Sequence, residues 1–262
     1  MDANESTDTQ EIARAPASGR PLAPGLYLVA TPIGNLEDIT LRALRVLRSV
    51  DKIACEDTRQ TQKLLNHFDI RTPTISYHMH NEAGRATELA TALKAGARIA
   101  VVSDAGTPGI ADPGGQIALA AIAAGVPVFP IPGANAAISA LIASGLESEN
   151  FTFHGFLPAK EGQRRTALEA LRGHTGGPLI FYEAPHRILD TLSDVESIFG
   201  PAQHVVVARE LTKLHEEFLR GTVAEVRTTL ADRASVRGEI VLLFAPAPVE
   251  AVGHTSKSIA AE

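Results

Sequence analysis

The sequence predicts an α/β protein with a mainly parallel sheet in its N-terminal part and a mixed sheet in its C-terminal part. Short apolar runs alternate with amphipathic stretches, a pattern typical of β-α units around a parallel sheet. Glycines follow several of the predicted helices, at Gly96, Gly125 and Gly145, as expected at helix C-termini. After residue 200 the apolar runs follow one another closely, which favours a mixed sheet in that part.

The N-terminal part is predicted to contain five β-α units. The first helix shows Leu41, Leu44 and Leu47 at three-residue spacing, which is a helical stripe. The other elements follow from β-branched runs and from glycine or proline punctuation. The predicted strands cover 25–31, 52–55, 74–77, 98–103 and 127–131, and the predicted helices cover 39–50, 58–67, 81–95, 113–124 and 134–144.

The C-terminal part begins after a polar interruption near Glu147–Asn150. Its predicted strands cover 151–156, 178–182, 204–208, 216–222 and 239–244, and its predicted helices cover 161–172, 184–199 and 222–231. The two ends of the chain are polar and lack periodicity, which predicts disorder. We therefore expect a disordered leader (1–22), an N-terminal domain (23–147), a C-terminal domain (148–246) and a disordered tail (247–262).

Composition narrows the function classes. The chain has 262 residues and a net charge of −6, which does not favour nonspecific nucleic-acid binding. A negative net charge is still compatible with a local basic patch. Cys55 is the sole cysteine, so an internal disulfide and a cysteine-based zinc site are excluded. The polar start predicts no signal peptide, and no run is apolar enough to span a membrane. A cytoplasmic protein is expected.

Three glycine- and proline-rich loops follow predicted parallel strands. They are "TPIGN" (31–35), "SDAGTPG" (103–109) and "IPGAN" (131–135). Ligands of open parallel sheets bind beyond the carboxyl ends of the strands, and glycine allows close approach of the backbone to a ligand. Each loop alone is also compatible with an ordinary βα turn, but the three together favour a binding site.

Several common sites are not supported. The sequence contains no glycine-rich dinucleotide fingerprint, no P-loop and no zinc-protease or nucleophile-elbow motif. His78 and His80 flank Met79, but no further ligand type completes a metal site around them. The loops are thus predicted to hold their ligand without a metal.

Six motifs in order resemble the ribosomal RNA small subunit methyltransferase I family of the tetrapyrrole methylase superfamily. They are "ATPIGNLEDITLRAL", "CEDTR", "SDAGTPGIADPG", "FHGFLPAK", "FYEAPHR" and "ARELTKLHEE". The resemblance implies a two-domain tetrapyrrole-methylase-like fold and a homodimer. It also implies S-adenosylmethionine as the cofactor and methylation of the ribose 2′-oxygen of a cytidine in the decoding region of 16S rRNA.

The resemblance assigns the cofactor to the loops and to the end of a C-terminal strand. One departure is "PGAN" (132–135), where relatives often have Pro-Gly-Pro-Ser, so the rigidity of this loop is open. The implied cofactor-binding residues are Thr31, Pro32, Gly34, Ser103, Asp104, Ala105, Gly106, Thr107, Pro108, Ile110, Pro132, Gly133, Ala134, Asn135, Tyr182, Glu183 and Ala184.

Charged residues after two strands are candidates for proton transfer and RNA contact. Lys213, Glu56 and Glu210 are the candidate catalytic residues, because a lysine of lowered pKa or a carboxylate can accept the proton of a ribose hydroxyl. Structural ion pairing is the alternative for all three. Lys160, Arg164 and Arg165 are the candidate RNA contacts, since phosphates require positive charge; a solvated helix face is the alternative.

Two rival functions remain open at this point. One is a small-molecule methylase that acts on a tetrapyrrole. The other is a non-catalytic module that binds nucleotide or RNA.

Overall fold

The computed structural model describes residues 21–244, and this part divides between Ala136 and Ala137 into two compact units. Each unit contains one five-stranded sheet. The predicted leader and tail lie outside the described residues, apart from residues 21 and 22. The predicted domain limits stay predictions. No helix within 21–244 is long and apolar enough to cross a membrane.

The sheet of the first unit is parallel throughout its described pairs, in the order β3-β2-β4-β1-β5. Leu26 pairs with Ile99 and Val128 on either side of β1. Because all strands run in one direction, their carboxyl ends lie at one edge. The strands are β1 (Gly25–Val29), β2 (Lys52–Cys55), β3 (Thr74–Ser76), β4 (Arg98–Val102) and β5 (Val128–Ile131).

Helices cover both faces of this sheet. On one face Leu44 and Leu47 pack with Tyr27 and Ile53, and on the other face Leu89 and Ile117 pack with Leu26. The side chains of Thr40 and Asp57 cap the first two helices by accepting the N–H groups of Ala43 and Arg59. The helices are α1 (Leu41–Ser49), α2 (Thr58–His67), α3 (Glu82–Lys94) and α4 (Gly115–Ala123), and a 3₁₀ turn covers Leu36–Asp38.

The second unit has a mixed sheet in the order β6-β7-β10-β8-β9. β6 pairs with β7 in parallel, whereas β10 is antiparallel to both β7 and β8, and β9 is antiparallel to β8. The predicted α/β class, with a parallel and a mixed sheet, is confirmed. The strands are β6 (Thr152–Phe156), β7 (Leu179–Glu183), β8 (His204–Arg209), β9 (Glu217–Thr222) and β10 (Ile240–Phe244).

One face of the second sheet forms a core with helices. Phe181, Leu242 and Val207 of the sheet pack with Leu168, Ile188 and Leu230 of three helices. A capping box between Thr222 and Glu225 starts the last helix. Apart from Ala136, the first residue of α5, the helices of this unit are α5 (Ala136–Ser144), α6 (Glu161–Glu169), α7 (Ile188–Phe199) and α8 (Val223–Ala231).

Candidate functional site

The three predicted loops meet at the carboxyl edge of the parallel sheet. Thr31, after β1, and Gly106, after β4, exchange two backbone hydrogen bonds with N···O distances of 2.8 and 3.0 Å. The Thr107 hydroxyl donates to the carbonyl oxygen of Ala134, after β5, at 3.0 Å. The loops after β1, β4 and β5 therefore form one connected surface, as expected for a ligand site at this edge.

Gly106 serves this connection in a way that the sequence did not predict. Its φ of +77° is in the left-handed region, and a Cβ there would lie 3.3 Å from Ile33 Cγ2. Both of its backbone polar groups pair with Thr31. The glycine therefore permits a close loop–loop approach, and its peptide groups are already hydrogen-bonded within the chain.

The predicted cofactor residues of the first unit are divided between a buried layer and an exposed layer. Thr31, Ser103, Gly106 and Pro108 are buried, and the Ser103 hydroxyl donates to the carbonyl oxygen of Ala105 at 3.0 Å. These residues form the buried side of the loops and support their backbone. The exposed layer, which is open to a ligand, contains Gly34, Asp104, Ala105, Ile110, Pro132 and Gly133, while Pro32, Thr107, Ala134 and Asn135 are half-buried.

Three carboxyl groups interact at this edge. Asp104 accepts the backbone N–H of Asp57 at 3.0 Å, which links the loop after β4 to the loop after β2. Burial, followed by the negative charge of Asp104, raises the pKa of Glu56. Burial and the charges of Glu56 and Asp104 raise the pKa of Asp112 to about 6. Mutual repulsion of this kind is relieved by a cation.

Asp112 was missed in the sequence analysis. Its only signal was its position in the same loop as Asp104, in "GIADPGG". Its proximity to Glu56 depends on the neighbouring positions of β2 and β4 in the sheet, which the sequence does not reveal. Within residues 21–244, no group of three or more histidine, cysteine, aspartate or glutamate side chains is arranged to hold a metal ion.

At the end of β7, Glu183 is a structural residue. Its side chain is buried, with the whole residue 2% exposed, and its two carboxylate oxygens accept the Thr191 hydroxyl at 2.7 Å and the Ala184 N–H at 2.8 Å. The carboxylate is therefore occupied within the protein, and the expectation that Glu183 binds the cofactor stays a prediction that rests on its backbone. Ala184 and Tyr182 are half-buried, and the Tyr182 ring packs against Phe153 and Phe156.

Lys213 and Glu210 lie together after β8. Lys213 Nζ donates to Glu210 Oε1 at 2.8 Å and to Glu239 Oε2 at 2.9 Å. Burial lowers the pKa of Lys213, but these two hydrogen bonds outweigh burial and raise it overall. The idea that Lys213 has a depressed pKa is therefore corrected: it is an ammonium in the neutral range. The same hydrogen bond lowers the pKa of Glu210.

The backbone of this segment is strained. Glu210 and Thr212 have φ values of +53° and +65°, although neither is glycine. Left-handed backbone at such residues is uncommon and occurs preferentially at functional sites. The Glu216 carboxylate accepts the N–H of Thr212 at 2.6 Å, and the Glu210 carboxylate accepts that of Glu239 at 3.0 Å, which hold the strained loop in place.

Of the candidate RNA contacts, Arg164 is a core residue. It is 4% exposed, and its Nε lies 2.7 Å from Oδ2 of the buried Asp194. This corrects the prediction that Arg164 contacts RNA. Arg165 is partly exposed but donates to the other oxygen of Asp194 and to Ser197. Lys160, immediately before α6, is exposed.

Two arginines clamp the segment that precedes Lys160. Arg187 Nη2 donates to the carbonyl oxygens of Leu157 and Pro158 at 2.8 and 2.9 Å, and Arg164 Nη1 lies 3.5 Å from that of Ala159. Arg187 is itself held by an ion pair with Glu183 at 3.3 Å. The motifs "FLPAK" and "FYEAPHR" are thus two parts of one rigid structure.

The model of the Tetrapyrrole (Corrin/Porphyrin) Methylases family matches residues 25–227. The ribosomal RNA small subunit methyltransferase I of Halalkalibacterium halodurans is 56% identical over 218 residues, which cover 83% of this chain and 74% of that protein. The protein of the same name from Synechocystis sp. is 52% identical over 86% of this chain and 80% of its own length. The chain belongs to the ribosomal RNA small subunit methyltransferase I family. The predicted family is confirmed.

The fold of this chain resembles those of more distant solved structures. A diphthine synthase structure matches 84% of this chain and 89% of its own, with a TM-score of 0.65 and 14% identity. A uroporphyrin-III-C-methyltransferase structure from Thermus thermophilus matches 85% of this chain and 94% of its own, with a TM-score of 0.60 and 20% identity. At these identities the likeness concerns the fold alone.

Proposed function

We propose that the protein is an S-adenosylmethionine-dependent enzyme that methylates the ribose 2′-oxygen of a cytidine in the decoding region of 16S rRNA. The observation that carries the proposal is the 56% identity to a ribosomal RNA small subunit methyltransferase I over 83% of the chain. This identity favours an RNA substrate over the rival tetrapyrrole substrate, since the solved uroporphyrin-III-C-methyltransferase is only 20% identical to this chain.

The carboxyl edge of the parallel sheet fits the proposed cofactor. A structural neighbour, the uroporphyrin-III C-methyl transferase of Thermus thermophilus, has been solved complexed with S-adenyl homocysteine. S-adenosylmethionine carries a cationic sulfonium, whose methyl group is the one transferred, and an ammonium. The mutually repelling carboxyl groups of Glu56, Asp104 and Asp112 suit a cation, and the connected loops offer an exposed polar and apolar surface beside them.

The candidate catalytic residues have different proposed roles. Removal of the ribose hydroxyl proton needs a positioned acceptor whose pKa approaches the working pH. Glu56 suits this role, because burial and Asp104 raise its pKa. Lys213 is proposed to act as an ammonium that stabilises negative charge on the RNA, with Glu210 and Glu239 fixing its position.

We also propose that the protein is a cytoplasmic homodimer. Two helices without a charged residue expose large aliphatic side chains: Leu119 and Ile122 on α4, and Ile138 and Ile142 on α5. Such helices normally bury these positions. Light scattering should give twice the chain mass for the wild type and a single chain mass for Leu119→Glu/Ile122→Glu. A monomeric wild type would contradict the dimer.

Methyl transfer with tritiated S-adenosylmethionine tests the proposed activity. Small ribosomal subunits, large ribosomal subunits and transfer RNA are compared as acceptors, with heat-denatured enzyme as the blank. We expect label in the RNA of small subunits alone. Label in another acceptor, or in none, would contradict the proposal; in the second case, retained cofactor and RNA binding would support the non-catalytic alternative.

A further inference from the structure

A β-bulge in β6 brings two phenylalanines to one face of the second sheet. Phe153 pairs with Ile180 and Phe156 pairs with Tyr182, and the register shifts between Phe153 and Gly155. Side chains three residues apart on a regular strand point to opposite faces. The extra residue of the bulge, next to Gly155 with a φ of +67°, therefore places Phe156 on the same face as Phe153. Bulges that re-aim a side chain occur next to functional sites.

Tyr182 supports both rings. Its ring centroid lies 5.0 Å from that of Phe153 and 5.6 Å from that of Phe156, with interplanar angles of 67° and 63°. Phe156 is nevertheless 57% exposed, and β6 is an edge strand of the sheet. The bulge thus places an aromatic ring in solvent, with a second ring behind it.

The ring stands on a rigid base. Leu157, the next residue, is buried, and the arginine clamp holds its carbonyl oxygen and those of Pro158 and Ala159. The exposed Lys160 follows at the end of the clamped segment. The backbone between Phe156 and Lys160 is therefore fixed, and little backbone entropy is lost when the two residues contact a ligand.

We propose that Phe156, backed by Tyr182, is a stacking platform for an unpaired base of the substrate RNA, and that Lys160 contacts the adjoining phosphate. The inference rests on the proposed function for the identity of the ligand. Proteins recognise single-stranded RNA by stacking bases on exposed aromatic rings beside cationic side chains. The exposed aliphatic residues of α4 and α5 lack this combination, because those helices carry no charged residue.

The test is binding of small ribosomal subunits, and of a decoding-region RNA oligonucleotide with 2-aminopurine as a stacking probe, to purified variants. Phe156→Ala should raise the dissociation constant roughly 5- to 150-fold, the range for loss of one base–aromatic stack. Phe156→Leu should be nearly as weak, because it keeps apolar volume without a ring, and Phe156→Tyr should bind within about threefold of wild type. Phe151→Ala, which removes another exposed phenylalanine ring, is the matched control and should be unchanged.

Other readouts separate the alternative occupants. S-adenosylhomocysteine affinity and oligomeric state should be unchanged in Phe156→Ala, and its melting temperature should confirm that it is folded. Wild-type RNA affinity for Phe156→Ala or Phe156→Leu would overturn the proposal. Two results for Phe156→Ala would also overturn it: weakened S-adenosylhomocysteine binding without weakened RNA binding, and dissociation of a dimer. If the wild type binds RNA through Phe156 but transfers no methyl group, the proposed function fails and the platform stands; if it transfers methyl groups and Phe156→Ala binds normally, the platform alone fails.

Discussion

Replacement of Gly106 by alanine tests whether the connected loops bind the cofactor. The φ of +77° at this position costs an L-residue about 1–2 kcal/mol. The added Cβ would also lie 3.3 Å from Ile33 Cγ2, so the Ile33 side chain must move by a few tenths of an ångström. Relaxation of the backbone to negative φ would instead break the hydrogen-bonded pair with Thr31, at about 0.5–1.5 kcal/mol for each bond.

The first route destabilises the folded loop by about 1–2 kcal/mol, and the second, which breaks two hydrogen bonds, by about 1–3 kcal/mol. Because the protein takes the less costly route, we expect a loss of about 1–2 kcal/mol. If the free protein relieves this strain by opening the loop, the ligand must restore the closed form. The dissociation constant of S-adenosylhomocysteine should then rise roughly 5- to 30-fold. Isothermal titration calorimetry measures the affinity, and thermal unfolding measures the loss of stability.

Gly125→Ala is the matched control. Gly125 has a similar φ of +70°, but a Cβ there meets nothing within 4 Å, and the residue follows α4 instead of a strand. Gly125→Ala should lower the free energy of unfolding by about the same amount, because its backbone has the same left-handed conformation. It should bind S-adenosylhomocysteine with wild-type affinity. Wild-type affinity for Gly106→Ala, with stability lowered to the level of Gly125→Ala, would refute the assignment of this loop to the cofactor.

Four further predictions concern charged residues and the independence of cofactor binding from metal. Lys213→Ala should reduce single-turnover methyl transfer on the order of a hundredfold with unchanged cofactor affinity; a rate within about threefold of wild type would assign Lys213 a structural role. Asp112→Asn should raise stability at pH 7–8 by on the order of 1 kcal/mol and weaken S-adenosylmethionine binding, because the folded pKa of about 6 exceeds the ordinary carboxyl value near 4. The native carboxylate is thus destabilising above pH 6, so the stability difference should shrink as the pH falls from 6 to 4, and a difference independent of pH would contradict this. Arg164→Ala should lower the free energy of unfolding by about 3 kcal/mol, because it leaves Asp194 buried with a weaker partner. Lys160→Ala should weaken RNA binding at unchanged stability. Weakened RNA binding at unchanged stability for Arg164→Ala would instead identify Arg164 as an RNA contact. S-adenosylhomocysteine affinity should be the same with and without excess EDTA, and a loss restored by Mg²⁺ would indicate a metal.

The sequence predicted the bounds of an element correctly where a residue next to its end, such as a capping side chain, marks that end. The helix predicted over 58–67 begins and ends at those residues, because Asp57 supplies its cap. The helix predicted over 184–199 begins only at Ile188, because residues 185–187 form a turn. Pro185 disfavours helical backbone at Ala184.

The site was predicted at the level of loops better than at the level of side chains. Loops after parallel strands meet because of the sheet, so their residues could be assigned from the motifs. The partners of Arg164, Glu183 and Lys213 come from other elements: Asp194 on α7, Thr191 on α7 and Glu239 before β10. Such long-range pairs decide whether a charged residue is buried, and helical spacing alone does not identify the core-facing side.

The most direct test of the proposed activity is the identity of the methylated nucleoside. Small ribosomal subunits lacking this modification are incubated with S-adenosylmethionine and the enzyme, and the 16S rRNA is digested and analysed by mass spectrometry. We expect one 2′-O-methylcytidine, located by resistance of its phosphodiester bond to alkali in the decoding region. A methyl group on a base, on a nucleoside other than cytidine, or on no nucleoside at all would contradict the proposed reaction.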